Sequence, residues 1–330
     1  MTTAASTTAS TVAVTGAGGP AGVNVVLELT RLGHRVLALD TDPWATGLAL
    51  ADVGAIVPRG DAPGYAQAVV QECAQAGATT LICTVVEEYP ALHAAAPDLQ
   101  AAGIASWIPS PQTTTACADK GEFAASLQAA GVAHPHTSTV VVGDGPWVVK
   151  PRTGRGSRDV TITADRASAE RALEALAGSG IVQQQVIGRE WTADCLTDRT
   201  GRVLAVVPRW RVETKAGIST KGETFHDPAV VALVTATLHA VGLTGVANAQ
   251  GFVTDDVPVA VEVNPRFSGG LSLSLAAGAD LVGGYVELML DPDASIAPDR
   301  LTWQPGRRMQ RYFEAVYSGG EEPVSTAEAR

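Results

Sequence analysis

At 330 residues the chain has room for two or three domains, each with its own core. Hydrophobic residues make up 46% and aromatics only 5%, which describes an α/β protein and excludes a disordered or disulfide-stapled chain. A net charge of −11 argues against a nucleic-acid partner or an anionic membrane, so any phosphate site must be a local basic pocket in an acidic protein.

Cys73, Cys83, Cys117 and Cys195 form no close pairs, as expected of reduced thiols in a cytoplasmic protein without a zinc motif. No apolar run approaches the ~18 residues of a membrane span. Residues 1–10 lack the basic start and apolar stretch of a secretion signal and are expected to form a tail, as are residues 316–330. The chain holds 23 Lys and Arg, yet its only lysines are Lys120, Lys150, Lys215 and Lys221. Where arginine supplies the surface charge, each lysine becomes a candidate for a role that needs a compact ammonium.

Residues 11–113 alternate strand-like runs (Thr11–Thr15, Arg35–Asp40, Ala55–Val57, Thr79–Thr84) with helix-like ones (Pro20–Leu32, Gly64–Ala76, Pro90–Ala102). This rhythm predicts a doubly wound parallel sheet. Gly16, Gly18 and Ala21 fit the G-x-G-x-x-A spacing between first strand and helix, and Asp40 ends the next strand, as in a dinucleotide-binding fold. The same loop is needed wherever a strand turns tightly into a helix. Glu87 and Glu88 follow the strand at Thr79–Thr84, on the side where such sheets bind ligands, and either could hold a substrate amine. Acids also suit a helix start.

From about residue 114 the rhythm changes. Asp119 is placed to cap a helix running from Lys120 to Ala130. The apolar strand Trp147–Lys150 ends on a lysine and leads into PRTGRGSR, residues 151–158. Glycines let backbone N–H groups approach anionic oxygens and the lysine adds a point charge, so Lys150 with Gly154, Gly156 and Ser157 reads as a phosphate grip. It is not a P-loop, and a hairpin turn is the bland alternative. A strand at Asp159–Thr163, a helix at Arg166–Ala177 and a strand at Ile181–Val186 follow, with Glu190 just beyond. Arg209, Arg211, Glu213 and Lys215 fall on one strand face by the period of two, and Lys221 lies past the next turn.

The stretch VEVNPRFSGG, residues 261–270, puts Glu262, Asn264 and Arg266 on one face of a strand. A carboxylate beside an amide oxygen makes a hard-cation site suited to Mg²⁺ on a nucleotide, and Arg266 adds a planar fork for phosphate. Pro265 ends regular pairing, and Ser268-Gly269-Gly270 forms the exit. Ser268 and Gly269 join Glu87 and Glu88 as substrate-contact candidates.

Taken in order, Ala118-Asp119-Lys120, Val148–Pro151 with Gly-Arg-Gly-Ser, Gly188-Arg189-Glu190 and Glu262–Arg266 resemble the ATP-grasp superfamily, most closely single-module relatives of the carbamoyl-phosphate synthase large chain. The resemblance spans roughly 11–315. It implies an α/β fold with a Rossmann-like domain at 11–113, a small lid subdomain at 114–183 and a C-terminal grasp subdomain at 184–315. It implies ATP and Mg²⁺, or Mn²⁺ in its place. Lys120 and Lys150 would touch the α- and β-phosphates, and the 153–158 loop would cover the β/γ end. Gln183, Gln184 and Val186 would hold adenine, and Glu190 the ribose. Glu262 and Asn264 would bind metal with help from Gln250. Gln184 stands where a Glu is common, and Gln250 where many relatives have an acid, which bears on a second Mg²⁺. The resemblance also removes the need for NAD at the glycine loop.

The expected reaction is ligation, with a substrate carboxylate activated as an acyl phosphate and then joined to an amine. Arg211, Lys215 and Lys221 are the candidates for gripping the carboxylate or γ-phosphate, and Arg266 for the tetrahedral oxyanion. The partners implied are small-molecule carboxylates and amines, with no nucleic acid and no membrane; a homodimer is compatible with this. A phosphorylating or carboxyphosphate-forming enzyme and a non-catalytic nucleotide sensor are the rival readings.

Overall fold

The computed structural model describes residues 9–154, 159–215, 217–255 and 257–319. Strand β1 (Thr11–Thr15) is buried along all but its first residue, as a strand covered on both faces must be. It centres a parallel sheet of order β3-β2-β1-β4-β5, with β2 at Arg35–Asp40, β3 at Val53–Ile56, β4 at Thr80–Ile82 and β5 at Ala105–Ser106. Helix α1 (Pro20–Arg31) packs on the face carrying Val12 and Val14. Proline in its first turn costs no hydrogen bond, because the first N–H groups of a helix have no internal partner. A short helix α2 (Thr46–Leu50), not foreseen, closes over the glycine loop. The opposite face, with Ala13, Leu37 and Leu39, meets α3 (Tyr65–Ala76).

The single helix expected over Pro90–Ala102 is in fact two, α4 (Tyr89–Ala94) and α5 (Ala96–Ala101). Pro97 lies in the first turn of α5; it has no N–H for the His93 carbonyl, so the helix restarts there. Next come α6 (Pro111–Ala118) and α7 (Lys120–Ala129). The Asp119 side chain between them accepts from Gly121 N and Glu122 N, which makes it the cap its sequence position suggested.

A four-stranded antiparallel sheet follows, of order β6-β9-β7-β8, with β6 at Thr137–Ser138, β7 at Trp147–Pro151, β8 at Thr161–Thr163 and β9 at Gly180–Gln184. Helix α8 (Arg166–Ala175) backs it over a small core of Trp147, Val149, Ala169 and Val182.

The third sheet has order β14-β13-β10-β11-β12-β15. Its strands are β10 (Arg189–Thr197), β11 (Val203–Lys215), β12 (Ile218–Thr224), β13 (Gly245–Thr254), β14 (Val257–Asn264) and β15 (Arg308–Gln310). Odd-numbered Trp191, Ala193, Ala247 and Val263 pack with Phe123 of α7 and with Val230 and Val234 of α9 (Pro228–Ala240). The period of two therefore turns Asp194, Asn248, Glu262 and Asn264 to the other face. Past these polar residues the same face becomes apolar. There Leu196, Val207 and Phe267, together with Leu271 of α10 (Leu271–Ala276) and Val286 of α11 (Leu281–Leu290), share one core with β1 and α1. Among the described residues no helix is long and apolar enough to cross a membrane.

Candidate active site

A cleft of about 730 Å³ lies between the four-stranded and six-stranded sheets. Its wall gathers Lys120 from α7, Lys150 from β7, Gln183–Val186 after β9, Glu190 from β10, Arg211 from β11, Gln250 from β13 and Glu262 from β14. Glu87 reaches it from the turn after β4. Val148, Ile162, Val186 and Phe252 give the cleft an apolar side with room for a flat ring.

The cationic end is built from neighbours far apart in sequence. Lys150 Nζ donates to Gln183 Oε1 at 2.9 Å, and Gln183 Nε2 donates to Thr137 Oγ1 at 2.9 Å. Burial pulls the Lys150 ammonium down to about 8; repulsion from Lys120 adds to this and Glu262 opposes it. Lys120 Nζ donates to the carbonyls of Gly154 at 3.0 Å and Arg152 at 3.4 Å, so it clasps the start of the glycine-rich loop. Gly154 is thus placed beside the cleft; Gly156 and Ser157 lie outside the described residues.

At the other end Arg211 Nη1 donates to Glu190 Oε1 at 2.5 Å and to Gln250 Oε1 at 3.1 Å, while its Nη2 donates to Gly217 O at 2.9 Å. Gln250 Nε2 passes the chain on to Asn248 Oδ1 at 3.0 Å. Gln250 lies directly across from Glu262 in the β13–β14 register, and Asn248 across from Asn264. Asn264 Nδ2 donates to Glu262 Oε1 at 2.8 Å, and Arg266 Nη2 reaches Asn264 Oδ1 at 3.5 Å. Glu262 and Asn264 thus share the β14 face their spacing assigned, whereas Arg266 lies in the bend past the strand end, with Nη1 donating to Phe267 O at 2.8 Å. The Glu262 carboxylate and the Asn264 amide oxygen are hard donors, and they fit Mg²⁺ carried in on phosphate oxygens.

Several expected site residues stand elsewhere. β11 is irregular between Arg211 and Glu213 and again between Glu213 and Thr214, so the period of two fails beyond Arg211. Lys215 is consequently exposed at the hairpin end, and Lys221 is 51% exposed and paired with Glu213 at 2.8 Å. Neither lines the cleft. Arg209, on the same strand, is 1% exposed and bound to Asp194 through Nε at 3.0 Å and Nη2 at 3.2 Å. Ser268 is also buried; its Oγ accepts from that Nη2 at 3.0 Å, which makes it a support of the loop and removes it from the substrate surface. The Gly269 carbonyl accepts from Asn24 at 3.2 Å and from Arg311. Glu88 is 6% exposed and turned inward, where its Oε2 accepts from Thr15 Oγ1 at 2.5 Å and Cys83 Sγ at 2.9 Å. Burial raises its pKa, so Glu88 suits an internal hydrogen-bond site better than an amine grip.

The glycine loop is occupied by the chain itself. The Gly18 N–H donates to Asp40 Oδ2 at 2.7 Å, and a Cβ on Gly18 would lie 2.6 Å from Ala45 Cβ. The carboxylate that would face a ribose in a dinucleotide fold is thus tied to the loop's own backbone.

The sequence left Asn248 unnoticed, although it precedes Gln250 by two residues and so shares its face. Thr137 gave no signal, since a two-residue strand has no periodicity.

Residues 179–312 match the family described as ATP-grasp in the biosynthetic pathway with Ter operon. No curated protein matches the sequence. Among solved structures, the L-amino acid ligase from Bacillus licheniformis superposes with a TM-score of 0.69 at 20% identity, over 91% of this chain and 78% of that one. A biotin carboxylase from Campylobacter jejuni, in a β-γ-ATP complex, gives 0.69 at 14% identity, over 89% and 73%. The N5-carboxyaminoimidazole synthetase from Staphylococcus aureus, complexed with ADP, gives 0.67 at 14%, over 87% and 78%. At these identities the likeness is one of fold. The family match adds that residues 179–312 resemble an ATP-grasp module.

Proposed function

We propose that the chain is an ATP- and Mg²⁺-dependent ligase that activates a small-molecule carboxylate as an acyl phosphate and joins it to an amine. The observation that carries this reading is the convergence of Lys120, Lys150 and Glu262 on one cleft with an apolar side. Lys120 and Lys150 hold the α- and β-phosphates, and Gly154 covers the β/γ end. Gln183, Gln184 and Val186 border the adenine, and Glu190 faces the ribose. Mg²⁺, held by Glu262 and Asn264 with Gln250 adjacent, offsets triphosphate charge when bound.

In this reading the substrate carboxylate oxygen attacks the γ-phosphorus, the bond to the β-bridging oxygen breaks, and ADP leaves. Arg266 steadies the transferred phosphoryl group and then the oxyanion formed when the amine attacks; collapse expels phosphate and the amine loses a proton. Glu87, the acid that the parallel-sheet domain brings to the cleft, orients the incoming amine. Lys215 and Lys221 have no part in this version.

The test is a phosphate-release screen with ATP, Mg²⁺ and pairs of amino acids, followed by product mass. A product lighter by one water than the summed pair supports ligation. Phosphorylated acid without condensation would support a kinase-like enzyme. Nucleotide binding without phosphate release from any pair would favour a sensor.

A further inference from the structure

The metal end of the cleft is short of negative charge. Among the described residues no three His, Cys, Asp or Glu come together as a metal site. Of the carboxylates lining the cleft, Glu87 belongs to the parallel-sheet domain, Asp159 precedes β8 on the four-stranded sheet, and Glu190 is already paired with Arg211 at 2.5 Å. Glu262 remains, bonded by the neutral amide of Asn264. Its cross-strand neighbour Gln250 is neutral and offers its Oε1 to Arg211 at 3.1 Å. The Arg211 side chain is 12% exposed and fixed at three points, by Glu190, Gln250 and Gly217. A guanidinium stays protonated at any working pH, so this is a permanent positive charge at the oxygen that a second metal ion would need.

We propose that the Arg211 guanidinium takes the place of a second divalent cation beside Gln250, so that the chain loads its nucleotide with a single metal ion held by Glu262 and Asn264. Arg211 acts here as a positioning residue: it neutralises phosphate charge, fixes Glu190 toward the ribose and repels a further cation. The inference rests on the ATP reading above.

The test counts Mn²⁺ by electron paramagnetic resonance on the full chain saturated with a non-hydrolysable ATP analogue, with analogue binding followed separately by calorimetry. One tightly bound Mn²⁺ per chain is expected. Arg211→Gln, which keeps a donor for Glu190 and removes the charge, should bind a second Mn²⁺ at least about tenfold more tightly than the wild type does. Gln250→Glu, with Arg211 intact, should stay at one ion because the guanidinium neutralises the added acid. Two tight ions in the wild type, an unchanged count in an Arg211→Gln chain that still binds the analogue, or a second ion in Gln250→Glu would each overturn the proposal. Two ions would leave the ATP reading standing, whereas a wild type that binds no analogue would remove that reading and this inference with it.

Discussion

The phenolic oxygen of Tyr89 donates to the backbone carbonyl of Pro265 at 2.6 Å, across 176 residues of chain. It fastens the helix after β4 to the end of the strand that carries Glu262 and Asn264. Both partners are buried, so Tyr89→Phe leaves the carbonyl without its donor and should cost ~1–3 kcal/mol. Urea unfolding would measure this. The variant should also lower kcat through Arg266, the next residue; unchanged stability and turnover would show the contact to be idle.

Lys150 sets a pH dependence. Its folded-state value of about 8 lies below the ordinary 10.5, so between these the unfolded chain holds a proton that the folded one has released. Stability of the nucleotide-free protein should therefore rise as pH climbs from about 8 toward 10.5, and below 8 the buried charge is a cost. Nucleotide binding has the opposite sign. A triphosphate favours the ammonium, so affinity should fall above pH 8, by at most about tenfold per pH unit, with proton uptake on binding. Calorimetry in two buffers of different ionisation enthalpy would show it, and a flat affinity from pH 7 to 9 would contradict it. Lys150→Ala should abolish ATP turnover with the circular dichroism spectrum intact.

The buried pair Arg209–Asp194 lies under the 265–270 loop, where Asn248, Ser268 and Ser274 complete its hydrogen bonds. Arg209→Met strands the Asp194 carboxylate and should destabilise by ~3–5 kcal/mol. Thermal unfolding beside an Arg209→Met, Asp194→Leu double variant would separate stranding from pairing, since the double should recover part of the loss.

Glu262→Gln removes the one carboxylate of the proposed metal site and should raise the Mg²⁺ concentration needed for turnover, or end it. An Mg²⁺ titration identical to the wild type would take Glu262 off the ligand set.

ATP with Mg²⁺ should raise the melting temperature and NAD should leave it unchanged, because the Gly18 loop is closed by Asp40 and Ala45. Stabilisation by NAD would mean that this loop opens.

The sequence was most legible where chemistry follows local period. Glu262 and Asn264 share a face because side chains on a strand alternate, and Asp119 caps a helix because its carboxylate can reach the free N–H groups of the first turn. Legibility failed where geometry is set by contacts between strands. The irregularities after Arg211 are invisible in RVETK, yet they decide that Arg211 enters the cleft while Lys215 and Lys221 do not. Glu87 and Glu88 look equivalent in sequence; the 3₁₀ turn at Val86–Glu88 sends one to the cleft and the other inward. The further partners of the Arg209–Asp194 pair, Ser268 for Arg209 and Asn248 and Ser274 for Asp194, lie 54 to 80 residues away, beyond any window of local pattern.

The parallel sheet and the six-stranded sheet grow out of a single apolar mass, in which Val12, Val25, Leu196, Phe267 and Val286 all take part. Anyone hoping to retarget the chain by transplanting its first hundred residues from another protein would cut through that mass. A working chimera would have to import Leu196, Phe267 and the face of α11 along with the donor segment. Changing side chains around Glu87, with the seam left whole, is the gentler way to alter what the chain accepts.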